Sequence, residues 1–314
     1  MSKSVLFHRE LLDFSGGHLK VHDYFRHVFS DSNFTPTIYF TPNSIWTERN
    51  PWHQLKSESS PALAADFDVN SADILLLAGN DWLALSEAQR QQPPCPVINL
   101  IQHVRHADPK DPRYPFLVYP ATRIAVSQEV ADAVRATGKA NGDVLAIPNG
   151  LDFSGFPEPL RTNDRPQDVM VVGIKQLKLA QKLTRKIRKT GCDVDLLDRN
   201  VPRAEFLRRL SEAKMAIFLP DPTEGFYLPP LEAMVLNTFV ICPDCEGNRV
   251  FCHANRNCLQ PKLGARELFD AFKTARDMSD SQRQAIVQAG HATSLLHDIK
   301  SERAAFLEIL CGLV

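Results

Sequence analysis

Residues 221–236 read DPTEGFYLPPLEAMVL, and the apolar run Met215-Ala216-Ile217-Phe218-Leu219 stands just ahead of them. That run has the length and continuous apolarity of a strand buried on both faces of a parallel sheet. Pro229 and Pro230 sit where a first helical turn tolerates proline, and Leu231-Glu232-Ala233-Met234-Val235-Leu236 continues as a helix. Gly225 lets the backbone turn sharply or approach a ligand closely. The stretch predicts a strand, a glycine-bearing loop and a helix whose free N–H groups at the amino end favour an anion. Glu224 lies in the loop and Glu232 on the helix, with seven residues between them. Both are acceptors for sugar hydroxyls, and their spacing suits two parts of one extended ligand.

The same strand–loop–helix pattern recurs outward from this stretch. Residues 5–7, 37–40, 73–78, 97–101, 123–127 and 144–147 read as strands in the first half, and 169–173 and 193–197 in the second. Helical spacing of apolar residues marks 19–29, 129–134, 174–189, 202–213, 265–278, 282–289 and 300–312. The alternation predicts two Rossmann-like, doubly wound α/β domains facing a cleft. The first spans 1–152 and the second 168–299, joined by a polar, proline-rich linker at 153–167 (FSGFPEPLRTNDRPQ).

A chain of 314 residues with 44% hydrophobic and 23% charged residues is long enough to bury two cores. A formal net charge of -1 supplies no global drive toward nucleic acid. No apolar run reaches the ~18 residues that a membrane span needs, and MSKSVLFHRELL is charged too early for a secretory signal. Seven cysteines, an odd number scattered along the chain, fit a reducing compartment. The expected setting is the cytoplasm, with peripheral attachment to a membrane and the oligomeric state left open.

Several further residues are candidates for chemistry. Gly16 and Gly17, between the first strand and first helix, suit close backbone approach to a phosphate or sugar. His103 and His106 follow the strand at 97–101, where open α/β sheets bind ligands. Asn149-Gly150, within IPNGLD, suits a turn needing positive φ. In 174–189 an apolar stripe of Leu177, Ala180, Leu183 and Ile187 is surrounded by Lys175, Lys178, Lys182, Arg185, Lys186, Arg188 and Lys189. This reads first as a solvated face, with contact to a membrane surface or nucleic acid as the lesser reading. Two D-x-D strings, at Asp66/Asp68 and Asp193/Asp195, and the cysteines 242, 245, 252 and 258 invite a metal assignment. The former arise easily by chance, and the latter lack paired zinc-ligand spacing, so no metal is assigned.

EGFYLPPLEAM, followed by Asn237-Thr238-Phe239-Val240-Ile241-Cys242, closely resembles the E-x7-E region of family 4 glycosyltransferases, retaining enzymes of the two-Rossmann-domain (GT-B) architecture. The resemblance implies that Glu224 contacts the donor sugar and Glu232 the ribose hydroxyls. The backbone of Gly225, Phe226, Tyr227 and Leu228 would lie beside the sugar and diphosphate. It further implies that the Gly16-Gly17 loop faces the cleft and that His103 contacts the transferred sugar. A basic pair in that family grips the diphosphate, usually an arginine and then a lysine. Here Lys175 takes the arginine's place with Lys178 or Lys182 as partner; the spacing is shorter, and the glycine that normally follows is absent. Glu246-Gly247-Asn248-Arg249 matches in part a turn beside the nucleotide, which brings in Asn248, and IPNGLD resembles the interdomain hinge. In GT-B proteins a last helix, here about 300–314, often returns to the first domain.

The activity implied is transfer of a sugar from a nucleotide-diphosphate sugar to a hydroxyl of a glycan, lipid-linked or small-molecule acceptor. Retention by front-side displacement, with neither metal nor other cofactor, goes with it. Two rivals share the scaffold: a sugar-nucleotide 2-epimerase, and a non-catalytic sugar-nucleotide-binding subunit.

Overall fold

The apolar runs of the first half form six parallel strands: β1 (Lys3–Arg9), β2 (Phe34–Phe40), β3 (Ile74–Ala78), β4 (Val97–Ile101), β5 (Thr122–Ala125) and β6 (Val144–Ala146). Their order is β2-β1-β3-β4-β5-β6, so the winding reverses between β1 and β3. β3 and β4 read ILLLA and VINLI and are buried at every position, as central parallel strands must be. Helices α1 (Gly16–Phe29), α2 (His53–Ser57), α3 (Glu87–Gln91) and α4 (Gln128–Ala136) lie along this half. Ser127 caps α4 by accepting a hydrogen bond from the Val130 amide at 3.3 Å. The computed structural model describes residues 2–12, 16–47 and 50–313.

The second sheet holds β7 (Gln167–Val172), β8 (Val194–Leu197), β9 (Ala213–Phe218) and β10 (Phe239–Ile241), all parallel, in the order β10-β9-β7-β8. Here the winding reverses between β7 and β9. With the strands come α5 (Leu177–Arg188), α6 (Arg203–Glu212), α7 (Leu228–Val235), α8 (Ala265–Asp277) and α9 (Asp280–Ser294). The period of two along a strand decides which helix each residue meets. On β7, Val169 and Val171 join a core with Ala180, Leu183 and Ile187 of α5 and Leu268 and Phe272 of α8. Met170 and Val172 join the opposite core with Leu207 and Leu210 of α6 and Leu231 of α7. Gly173, just past β7, lets α5 press against the sheet, because a Cβ there would stand 2.1 Å from the Ala180 Cβ.

Contacts divide the chain into two units, residues 1–149 with 300–314, and residues 150–299. The segment 153–167, read as a linker, belongs to the second unit. Arg165 anchors it: the side chain is buried and donates to the carbonyls of Leu160, Ala213 and Leu236 and to the Thr238 hydroxyl. An arginine among prolines and polar residues gives no sign in sequence of such burial. The Asn149-Gly150 turn also differs from expectation. Gly150 is absent from the residues at positive φ; a Cβ there would stand 2.6 Å from the Ile299 Cα, so its lack of a side chain serves close approach. Leu151 donates to the His297 carbonyl at 2.8 Å and accepts from the Ile299 amide at 3.0 Å. Gly16 and Gly17 open α1 rather than a preceding loop, whose Phe14 and Ser15 lie outside the described residues.

The last helix, α10 (Ile299–Gly312), is held within the first unit by a buried charge cluster. Lys20 of α1 donates to Glu302 at 2.7 Å and to Asp23 at 2.8 Å, His27 meets Glu302 at 2.9 Å, and the Phe306 ring sits 4.6 Å from Tyr24. Burial by itself would raise the Glu302 pKa, but Lys20 and His27 outweigh it and hold the carboxyl below its ordinary value. Burial would likewise lower Lys20, and its two carboxylates outweigh that and raise it. A lowered carboxyl pKa stabilises the fold above the unfolded value of 4.5 and loses that contribution as pH falls through the folded value. Glu302→Gln is expected to cost up to about 3 kcal/mol, because it removes one of the two carboxylates that offset the buried Lys20 ammonium and leaves Asp23 as the other. Urea denaturation at neutral pH measures this, and the gap between variant and parent should shrink as the pH drops below that of an ordinary carboxyl.

Candidate functional site

Where winding reverses in an open parallel sheet, two loops leave adjacent strands in opposite directions and leave a crevice at the carboxyl ends. In the second unit these are the loops after β7 and β9, which pair with Val172 opposite Phe218. Lys175 stands in the first loop and Glu224 in the second, and their side chains form an ion pair across the reversal. Lys175 remains 48% exposed, whereas the Glu224 side chain is largely covered. Such a pair is screened by water and holds weakly, so a ligand meets little resistance in separating it.

The loop after β9 runs into α7, and its amides are unevenly spent. Tyr227 donates to the Gly247 carbonyl at 2.8 Å, and Glu224 to the Asp221 carbonyl at 3.2 Å. Among the described residues no hydrogen bond takes the amides of Gly225, Phe226 or Leu228. Pro229 and Pro230 fill the next two helical positions and carry no N–H. The first turn of α7 therefore presents a single donor, Leu228, instead of the row that a helix start normally offers. This narrows the expectation of an anion-binding helix end, since the donors left at this edge are the Leu228 amide and the loop amides of Gly225 and Phe226.

A second loop braces the first. A Cβ on Gly247 would stand 2.8 Å from each of the Glu224 carbonyl oxygen, the Phe226 nitrogen and the Tyr227 nitrogen. Glu246 donates to the Pro222 carbonyl at 3.1 Å. Asn248 is fully buried; its amide nitrogen donates to the Pro243 carbonyl at 2.9 Å and its oxygen accepts from the Cys245 amide at 3.2 Å. The Asn248 side chain thus shapes the brace. Phe226 packs at 5.4 Å from Phe251 and 5.9 Å from His297, while Tyr227 points into the core 6.4 Å from Phe218. Of Tyr227, the backbone is what borders the loop.

Glu232 lies further along α7 and is buried, with its carboxylate on Arg203 at the start of α6. The Arg203 guanidinium also lies 5.6 Å over the Phe156 ring. Arg203 escaped the reading of the sequence because nothing links it to a carboxylate 29 positions later. Lys178 and Lys182 are both exposed on α5. The helical rise sets Lys182 about 6 Å further from the loop than Lys178.

In the first unit, Gln102 donates to the Gly17 carbonyl at 3.1 Å, which ties the end of β4 to the first turn of α1. His103 follows, half-buried, with its Nδ1 accepting from the Arg105 amide at 3.1 Å. His106 is buried; burial first, and Arg113 second, lower its pKa to about 3, so it stays neutral. Among the described residues, none beyond its chain neighbours and its own helix lies within 4 Å of a Cβ placed on Gly16.

Three of the four aspartates in the D-x-D strings make contacts within the protein or lie at a strand's amino end. Asp195 holds Arg209 at 2.6 Å, Asp193 precedes β8 at the amino edge of the sheet, and Asp68 caps a short turn. Cys242, Cys245, Cys252 and Cys258 are buried as free thiols in the apolar core, where burial raises Cys245 and Cys252. Among the described residues no three His, Cys, Asp or Glu side chains are grouped to hold a metal, and no helix is long and apolar enough to cross a membrane.

No family model matches the chain, and no curated protein matches its sequence. Solved structures do match, over nearly the whole length. The Anabaena protein HepE, in complex with UDP-glucose, aligns with a TM-score of 0.73 at 14% identity over 99% of this chain and 100% of its own. Sucrose-phosphate synthase from Thermosynechococcus elongatus aligns with a TM-score of 0.71 at 12% identity over 99% of both chains. A putative UDP-N-acetylglucosamine 2-epimerase from Listeria monocytogenes aligns at 0.64 and 11% identity over 98% of this chain and 95% of its own. The fold is the α/β fold with parallel sheets of GT-B glycosyltransferases.

Because a Cβ on Gly247 would stand 2.8 Å from three backbone atoms of the neighbouring loop, Gly247→Ala has to displace that loop. The expected cost is about 1–3 kcal/mol, the usual scale of overpacking. A lowered melting temperature checks it, together with loss of crystallographic order in residues 224–227.

Proposed function

We propose that the chain is a glycosyltransferase that takes a sugar from a nucleotide-diphosphate donor, retains its anomeric configuration and needs no metal, in the manner of family 4. The observation that carries the reading is the Lys175–Glu224 pair at the β7/β9 reversal, beside three unspent loop amides. The two side chains neutralise each other. A donor exchanges both partners at once: its diphosphate takes Lys175, and its sugar hydroxyls take Glu224. The amides of Gly225, Phe226 and Leu228 then meet the anion, aided by the dipole of α7, worth up to ~2 kcal/mol. Glu232, already fixed by Arg203, accepts from the ribose hydroxyls.

In this reading the protein supplies position and charge rather than a nucleophile. The departing phosphate oxygen draws the proton from the acceptor hydroxyl on the same face, and Lys175 offsets the charge growing on the diphosphate. Lysine suits that task as a compact point charge. His103, beyond β4 in the first unit, is the candidate for contact with the transferred sugar. HepE, whose structure contains UDP-glucose, supports a UDP-sugar as the first donor to try.

Five outcomes test this. Glu232→Gln should weaken nucleoside-diphosphate binding by roughly 1.5–3 kcal/mol, the worth of a charge-assisted bond; calorimetry that finds no change removes Glu232 from the ribose. Glu224→Gln should leave free nucleotide affinity intact and slow transfer. Release of an epimerised sugar from donor alone would place the chain with 2-epimerases instead. Transfer should also survive excess EDTA, while Lys175→Ala loses on the order of 100-fold in rate with its melting temperature unchanged. Activity abolished by EDTA and restored by Mn²⁺ would overturn the metal-free mechanism.

A further inference from the structure

We propose that the outward face of α5 docks the protein on an anionic lipid bilayer. Between Asp168 and Asp193 the chain carries Lys175, Lys178, Lys182, Arg185, Lys186, Arg188 and Lys189 and no acidic residue, although the whole chain is nearly neutral. The structure sorts these cations. Lys178, Lys182, Arg185 and Lys189 follow one another at steps of four, three and four, which is a single stripe on a helix, and all four are exposed. None of them enters an ion pair among the described residues, whereas Arg209, Lys214 and Arg249 of the same unit each hold an aspartate. On α8, which shares a core with α5, Lys273 and Arg266 are matched by Asp270. Arg161, Arg256 and Lys262 of this unit also lack an ion pair among the described residues, but each stands singly, whereas α5 carries a continuous run of unmatched positive charge.

Two observations select a bilayer over a nucleic acid. At the amino end of the stripe Ile174 and Leu177 are 36% and 40% exposed, an apolar pair set among lysines. Cations that attract anionic headgroups beside aliphatic side chains that enter the acyl boundary make up an interfacial helix face. A single-stranded nucleic-acid surface would instead offer rings to stack on bases, and a duplex surface would have no use for exposed aliphatic side chains among its cations. This face has no such ring: the nearby Phe269 ring is covered by Lys186 and Lys273, whose ammonium groups lie 5.5 and 5.4 Å from its centroid. The core-facing side of the helix is fully used by Ala180, Leu183 and Ile187, so docking needs no change in the fold.

The test is flotation of the full chain with phosphatidylcholine vesicles, with and without phosphatidylglycerol, across a salt series. Binding is expected only where phosphatidylglycerol is present, and to weaken as salt rises. Each basic residue near an anionic surface contributes roughly fivefold, so Arg185→Gln with Lys189→Gln should weaken binding roughly 25-fold. Both side chains lie at the far end of α5 from Lys175, so the melting temperature and free nucleotide affinity should stay as in the parent. Failure to float, equal binding to both vesicles, or an unchanged affinity in the double variant would overturn the proposal. So would tighter binding to duplex DNA or single-stranded RNA than to the anionic vesicles.

Discussion

A parallel strand has to be covered on both faces, and the rest of this molecule follows from that requirement. A chain that returns to the same edge of a sheet before each new strand must cross over with a helix. Every such crossing begins at a carboxyl end, so every loop with freedom to vary gathers along one edge. The alternating residues of β7 show the cost: Val169 and Val171 serve one layer of helices, Met170 and Val172 the other, and no position is left for solvent. Close packing then sets limits at single atoms. Gly173 gives room to Ala180, and Gly247 gives room to the backbone that carries Glu224. The loop-bearing edge is as constrained as the core beneath it.

Charge is handled in two ways, and exposure separates them. The Lys20–Glu302 pair has side chains only 2% and 0% exposed, and its partners come from opposite ends of the chain. Water cannot replace either partner, so the pair fastens one element to another. The Lys175–Glu224 pair bridges two loops with its ammonium half exposed, so water competes for the lysine. Arg203–Glu232 combines the two, a buried carboxylate with a partly exposed guanidinium. The same residue types build a clasp in one place and an exchangeable contact in another.

Much of this was legible in the residues. The strands at 97–101 and 215–219 declare themselves as unbroken apolar runs, and Glu224, Gly225 and Glu232 stand out by spacing around a strand–loop–helix. What stayed hidden depends on distance through space. Arg165 reads as a polar residue among prolines, yet it binds carbonyls from β9 and from the end of α7. Arg203 and Glu302 find their partners only after the chain has folded. Asn149-Gly150 misleads in another way: the dipeptide usually signals positive φ, and here the glycine is used for proximity to Ile299. The prolines of α7 were visible from the start, but their effect on hydrogen-bond supply emerges only once Tyr227 is seen to spend its amide on Gly247. Asn237, next in the chain, ends that helix at a φ of 56°, a conformation asparagine tolerates better than most residues.

The pairing of Leu151 with His297 and Ile299 has a consequence for the lineage of such chains. It sets the first and last residues of the second unit side by side, with the first unit completed by a helix that comes after the excursion. In genetic terms, residues 150–299 are a cassette whose two ends share one point of attachment. Segments with adjoining ends are those most easily exchanged, permuted or excised, because a short bridge can replace them. A gene that inherits this arrangement can trade its second half for another and leave the six-stranded sheet of its first half undisturbed.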